Sequence, residues 1–173
     1  ADNVEGIVLV CQEYGVNCSD GGIVFGRDKD EIRDVFEVCE KYGINYKNGS
    51  SAFFRTASEI EDIVNVAKKD GLKYKDGGSL FRKLASETED TVLACQELGI
   101  NYQDGGNVFL RTGDELREMA DVCTRLGIDY KKGGNLFRKK AKDIESIAEV
   151  CKKQGIDYKK ASTILPSKCL FLP

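Results

Sequence analysis

The chain has 173 residues, 41% of them apolar and 32% charged, a balance typical of a globular domain rather than a disordered one. Acidic residues outnumber basic ones by 29 to 26, whereas sequence-reading nucleic-acid binders are usually basic overall. No run of about 18 apolar residues is present, which argues against a membrane span.

The first segment, residues 1–15, has no basic start and carries Glu5 and Glu13 around its apolar part, which argues against a secretory signal. Because the chain begins with Ala, we expect that residues preceding it have been removed. The cysteines, interpreted below as reduced, are typical of an intracellular protein. We therefore expect a cytoplasmic location.

A 28-residue unit is repeated about six times, without insertion or deletion. The register is set by one glycine per copy: Gly15, Gly43, Gly71, Gly99, Gly127 and Gly155. The copies are residues 2–29, 30–57, 58–85, 86–113, 114–141 and 142–169. A fixed period this short is typical of a solenoid, in which each copy packs on its neighbours. We predict a single repeat domain, an all-α solenoid of helix-turn-helix units.

Each unit begins with a predicted amphipathic helix. Its N-cap column is Asp2, Asp30, Ser58, Ser86, Asp114 and Lys142. The next column is acidic in five copies, as a helix N-terminus prefers. In the fifth copy the apolar spacing predicts a helix over 115–126, ended by Gly127 as its C-cap.

The second element of each unit is shorter. An Asp/Asn column (Asp20, Asn48, Asp76, Asp104) can cap a helix of about two turns whose aliphatic-Phe pair faces inward. A strand is the alternative, because Gly-Gly opens helices poorly and Val-Phe favours strands, and it would give a leucine-rich-repeat type of βα solenoid. The alternating leucines and the asparagine of that repeat are missing, so two helices per repeat are favoured.

Two further columns recur at the same step. The first holds Cys11, Cys39, Cys95, Cys123 and Cys151, with Ala67 in the third copy, and indicates a buried small residue. Neighbouring helices lie about 9 to 10 Å apart, too far for disulfides, and the absence of histidine and of a C-x-x-C pair argues against zinc. The second holds Tyr46, Tyr74, Tyr102, Tyr130 and Tyr158; it favours inter-repeat packing, with base stacking as the alternative.

The two ends differ from the middle. Both prolines, Pro166 and Pro173, lie in the final residues, so we expect residues 161–173 to fold back as a C-terminal cap. The first helix carries Leu9 where most later copies are polar. We interpret this helix either as an end that associates with another copy, or as one that was once preceded by further repeats.

The segments 96–115 and 125–143 each combine a helix ending in Leu-Gly-Ile, a short second element and a capped Glu-Leu or Asp-Ile start. They resemble the mitochondrial transcription termination factor (mTERF) family of helical repeats. Residues 164–171 resemble that family's leucine-proline ending, although the internal repeats lack its proline. This resemblance implies a helical solenoid that binds nucleic acid.

Gly-Ile-Asp-Tyr at 127–130 and the spacing from Gly78 to Ala85 resemble ankyrin repeats. The Thr-Pro-Leu-His motif is absent, and 28 residues leave little room for the ankyrin loop. This resemblance also implies a binding solenoid, but one whose ligand is a protein.

No nucleophile–base pair, Walker sequence or metal-spaced acidic cluster is found, so we predict a non-enzymatic protein without a cofactor. The Asp-Gly-Gly motif could bind a phosphate through its amides. Its recurrence in one register favours a structural turn instead.

Basic residues recur near the second element, and residues 130–173 carry a net charge of +7, with eleven basic and four acidic residues. The candidate binding residues are Arg27, Arg55, Lys83, Arg111, Lys139, Lys131, Lys132 and Arg138. The favoured hypothesis is a scaffold that binds a protein or peptide along the surface of the second elements. The alternatives are nucleic-acid binding through the basic columns and end-to-end self-association.

Overall fold

The computed structural model describes residues 2–17, 24–47, 50–103, 106–132 and 134–159, with the side chains of residues 2 and 3 left out. Six α-helices lie in this part of the chain: α1 (Asp2–Glu13), α2 (Lys29–Tyr42), α3 (Ala57–Lys69), α4 (Ala85–Leu98), α5 (Gly113–Leu126) and α6 (Ala141–Lys153). From α2 onward their first residues are 28 apart. The predicted all-helical class is confirmed, and the predicted cap over 161–173 lies outside the described residues.

Short 3₁₀ turns connect the helices: Val24–Gly26, Ser51–Phe54, Ser79–Arg82, Asn107–Leu110 and Asn135–Arg138. The described residues contain no strand, so the βα alternative is wrong. The second element is also shorter than the predicted helix of two turns. It ends early because the next helix starts directly after it: Arg55 has extended backbone (φ −118°, ψ 150°), and Thr56 is the N-cap of α3.

The chain divides into two compact units, Ala1–Thr88 and Glu89–Pro173. In the first unit α1 packs on α2, and α2 packs on α3. The 3₁₀ turns Ser51–Phe54 and Ser79–Arg82 also pack on each other. In the second unit α5 packs on α6, and the turns Asn107–Leu110 and Asn135–Arg138 form the equivalent contact. Consecutive copies of the repeat therefore pack on each other within each unit.

The helices begin two residues earlier than predicted. In α3 and α5 the cap is a threonine, Thr56 or Thr112, whose hydroxyl accepts the N–H of a glutamate three residues on. That glutamate accepts the threonine's own N–H in return, which completes a capping box. Asp28 caps α2 by accepting two backbone N–H groups. The predicted cap residues Asp30, Ser58 and Asp114 instead lie inside the first turn.

The predicted glycine C-cap is confirmed in α2 and α5, whereas in α3 and α6 the C-cap is the residue before the register glycine, Asp70 or Gln154. All six register glycines have left-handed backbone, with φ between 65° and 67°. Gly43 and Gly127 end their helices with N–H groups directed at carbonyl oxygens of the last turn. A residue with a side chain would be strained at this φ, so the glycine column follows from backbone geometry.

The core is made of the repeated columns. The five described column cysteines are buried, and Ala67 is equally buried in the third copy, which confirms the predicted small buried position. Phe53, Phe81, Phe109 and Phe137 are buried with the aliphatic or alanine residue before them. Phe25 is the exception at 38% exposed, so the inward-facing prediction is wrong for the first copy.

Ion pairs join neighbouring helices, and Arg117 pairs with Asp90, 27 residues earlier, at 3.9 Å. In four other pairs the two residues are 20 apart in sequence: Glu13–Arg33 (3.0 Å), Lys41–Glu61 (2.6 Å), Glu97–Arg117 (3.1 Å) and Arg125–Glu145 (2.6 Å). In two pairs the acidic residue comes first, and in the other two the basic one does. Exposed pairs stabilise by only about 0.2–1 kcal/mol. Because the signs differ from pair to pair, they favour packing of each helix on its observed neighbour over packing on a helix that carries a like charge at the same position.

Candidate interaction surface

The arginines of the predicted basic column hold consecutive copies together. Each directs its Nε–H at the carbonyl oxygen of the phenylalanine 26 residues later, at the end of the next 3₁₀ turn. The bonds are Arg27 to Phe53 (3.2 Å), Arg55 to Phe81 (2.9 Å) and Arg111 to Phe137 (2.8 Å). Charged donors make the stronger hydrogen bonds of proteins, and they satisfy carbonyl groups that a short helical turn leaves unpaired. We name these contacts the arginine clasps.

The clasps leave only part of the column for a ligand. The Arg111 side chain is 12% exposed and also pairs with Glu115 at 3.4 Å. Lys83 is buried, and Lys139 is half-buried. Whether this column contacts a ligand stays a prediction, but its arginines already have a structural task.

The remaining candidates, Lys131, Lys132 and Arg138, are exposed. Within the described ranges none of their side chains has an ion-pair partner. The main chain of Lys131 is engaged, because its carbonyl accepts the Asn101 N–H at 2.9 Å. These three side chains extend from the loop and 3₁₀ turn that precede α6, where they are available to a partner.

An open depression of about 440 Å³ lies on the 3₁₀ turns of the first unit, lined by Phe54, Arg55 and Arg82. Phe54 is 48% exposed, although its neighbour Phe53 is buried. The Arg82 Nε contacts the Ser51 hydroxyl at 3.4 Å, so its guanidinium stays beside the turn. An aromatic ring and cationic groups therefore meet at one accessible place.

The turns beneath this depression are tied together by backbone. The Ser51 N–H and the Ser50 hydroxyl both donate to the Gly77 carbonyl, at 2.9 and 3.1 Å. Within the same two loops, the Asn45 N–H donates to the Lys75 carbonyl at 2.7 Å. The surface that carries Phe54 is consequently fixed before any ligand arrives.

The Asp-Gly-Gly motif is described in the third copy, at residues 76–78, where it forms a turn. The Gly77 N–H donates to the Tyr74 carbonyl at 3.2 Å, and the Gly78 N–H donates to the Asp76 carboxylate at 3.0 Å. Both amides that a phosphate would need are thus used inside the turn. The structural interpretation of the motif is supported here.

The tyrosine column contacts its own helix. Tyr46 donates to Glu40 at 2.9 Å, and Tyr102 accepts from Gln96 at 3.0 Å. The Tyr158 ring lies 5.5 Å from the Lys152 ammonium. In these three members of the column the partner is six residues earlier, so the contact braces the loop against the end of its own helix. Packing of the column between repeats stays a prediction.

Burial makes three of the column thiols poor nucleophiles. It raises the pKa of Cys39 and Cys95 to about 12 and that of Cys123 to about 11. The reactive form is the thiolate, which is scarce near neutral pH at such pKa values. Among the described residues, no three potential ligands lie close enough together to hold a metal ion. No described helix is long and apolar enough to cross a membrane.

Sequence reasoning missed Phe54 and Arg82. The signal was that their position in the repeat is occupied by a different type of residue from copy to copy, although the phenylalanine before it is constant. The residues at this position are Gly26, Phe54, Arg82, Leu110 and Arg138. A constant column indicates the core, and a varying column beside it indicates a surface that can be specialised. No family model, curated protein or solved structure matches the chain.

Proposed function

We propose that this chain is a non-enzymatic helical-repeat scaffold that binds a protein or peptide partner on the surface of its 3₁₀ turns. The architecture would be an α-solenoid of about six 28-residue units. The constant step between helix starts and the packing of consecutive copies within each unit support it. The buried thiols of Cys39, Cys95 and Cys123, which form no disulfide, support an intracellular location.

The observation that carries this proposal is the exposed Phe54 ring beside Arg55 and Arg82. Aromatic residues and arginine are enriched at protein interfaces and at the positions that contribute most to affinity. The backbone links under the turns reduce the entropy lost on binding, because the surface is ordered in advance. The chemistry fits a peptide with an apolar side chain next to a carboxylate.

A displayed library of random peptides tests this proposal. We expect the selected peptides to combine apolar and acidic residues, and their affinity, measured by calorimetry, to fall about tenfold or more in Phe54→Ser or Arg82→Glu, as for residues central to an interface. Leu93→Ser is the matched control, because Leu93 is 60% exposed and belongs to the helix α4 rather than to a 3₁₀ turn. Peptides that bind both turn variants as tightly as the wild type would contradict the proposal.

Nucleic-acid binding is the second candidate, supported by the three exposed basic residues Lys131, Lys132 and Arg138. Fluorescence anisotropy with labelled single-stranded RNA and double-stranded DNA should then show binding that weakens steeply as salt rises. Changing these three residues to Glu should abolish it. Arg111 is left intact, because its replacement would break a clasp as well as remove charge. Absence of binding at low salt would exclude this candidate.

A further inference from the structure

The last described helix exposes apolar side chains that are buried in earlier copies. On α6 and the loop after it, Val150 is 51% and Ile156 is 36% exposed. The residues equivalent to Val150 include Val10, Val66, Ala94 and Val122, all at most 7% exposed, and Val38, which is half-buried. Those equivalent to Ile156 are Val16, Ile44, Leu72, Ile100 and Ile128, all at most 9% exposed. The buried residues belong to copies that a further helix follows.

The first helix shows the complementary exposure. Val4 on α1 is 54% exposed. Its equivalents Ile32, Ile60, Thr88, Leu116 and Ile144 are all fully buried, and each belongs to a helix that another precedes. Each end of the described chain thus exposes apolar surface that a neighbouring copy of the repeat would cover.

The ion pairs between helices extend this complementarity to charge. Each of the four pairs with this spacing joins a residue near the end of one helix to the residue 20 positions later, on the next helix. Lys153 lies 28 residues after Arg125, so it occupies the helix-end position of such a pair. Glu5 lies 28 residues before Arg33, so it occupies the position of the partner on the next helix. Both are exposed, and neither has an ion pair within the described residues. Their charges are opposite.

We propose that the chain associates head to tail with a second copy of itself, α1 of one copy covering the exposed face of α6 on the other. Val4 then packs against Val150 and Ile156, and Glu5 pairs with Lys153. A second copy that continues the 28-residue register after α6 places Glu5 where the other copies have the partner of the ion pair. The contact joins two different surfaces, so each added copy leaves one of each kind free, and association continues beyond a dimer or closes into a ring.

Sedimentation velocity of the full chain tests the proposal, from about 10 μM to about 1 mM, where a weak specific interface becomes populated. We expect the average mass to rise with concentration and to exceed that of two copies at the upper end. Lys153→Glu or Glu5→Lys should each keep the chain monomeric, since each places like charges opposite one another. Lys132→Glu, with the same change of charge on an exposed loop, is the control and should associate like the wild type.

Two combinations distinguish a head-to-tail contact from a general effect of charge. The double variant Glu5→Lys with Lys153→Glu restores complementarity and should associate again. A mixture of the two single variants has opposite charges at both of its mixed junctions, so it should associate again in alternating order although each variant alone stays monomeric. Val150→Asp tests the apolar part and should abolish association while leaving the helical circular dichroism and the melting temperature unchanged, because Val150 is exposed.

A chain that stays monomeric up to about 1 mM would overturn the proposal, since no second copy then covers the exposed side chains of α6. Association that neither charge variant weakens would overturn it as well. Neither result bears on peptide binding at Phe54, which is measured separately.

Discussion

Gly71 and Gly77 provide a matched pair for testing how closely the loops of consecutive copies approach each other. Both have left-handed backbone, with φ of 67° and 66°. A Cβ atom added to Gly71 would have no heavy atom within 4 Å. A Cβ atom on Gly77 would overlap the Asn45 carbonyl oxygen and the Ser50 hydroxyl of the preceding copy.

The two alanine variants should therefore differ by the cost of this overlap alone. Gly71→Ala loses about 1–2 kcal/mol for left-handed backbone with a side chain, partly offset by the reduced entropy of the unfolded chain. Gly77→Ala carries the same cost and must also move the two loops apart, which costs about 1–3 kcal/mol by overpacking. The movement weakens the bonds from Ser51 and Ser50 to the Gly77 carbonyl, each contributing about 0.5–1.5 kcal/mol. Gly77→Ala should thus be less stable than Gly71→Ala by about 2–4 kcal/mol.

Urea denaturation followed by helical circular dichroism measures this difference, with the wild type as reference. The slope of the transition should be the same in all three proteins, so that the midpoints report the free energy of unfolding. Equal losses in the two variants would refute the close approach of the Gly77 backbone to the preceding copy. A larger loss in Gly71→Ala would refute the assignment of open space around that glycine.

Two further predictions follow from the clasps and the thiols. Arg111→Met keeps the aliphatic stem but leaves the Phe137 carbonyl without its donor, so we expect a loss of about 1–3 kcal/mol in urea denaturation. Arg138→Met, on the exposed turn, should stay within about 0.5 kcal/mol, and equal losses would contradict the clasp. The pKa of Cys123 is raised to about 11 from 9.0, so the unfolded chain releases this proton first as pH rises, and the free energy of unfolding falls above pH 9. From about pH 8 to pH 10 the wild type should lose about 1 kcal/mol more than Cys123→Ala, and identical pH profiles would contradict the burial of this thiol.

Local features of the fold could be predicted from the sequence because they depend on neighbouring residues. Gly127 ends its helix as predicted, since left-handed backbone there needs glycine whatever the tertiary packing. The helix starts were misplaced because an acidic residue inside the first turn, such as Asp114, also fits the cap preference. The Thr112-x-x-Glu115 spacing, which signals a capping box, was the better indicator.

The candidate surface was predicted less well because its properties depend on residues far apart in sequence. From position alone, Arg55 and Arg111 were interpreted as charges available to a ligand. Each donates to a carbonyl oxygen 26 residues away in sequence, and the two groups come within hydrogen-bonding distance only when two copies pack on each other. Phe54 was not singled out, because adjacent phenylalanines in a short helical turn have no periodicity that tells which one faces the core.

The 28-residue period, the helical class, the glycine helix ends and the buried cysteine column can all be predicted from the order of the residues. These follow from backbone conformation and hydrophobic spacing within one copy, which every copy repeats. Which polar groups are used between copies, and which remain exposed, depends on how the copies pack. The same basic column contains arginines that hold the next turn, and the varying position beside it carries the exposed Phe54 and Arg82. That distinction arises where two copies meet, and a single copy of the repeat contains no information about it.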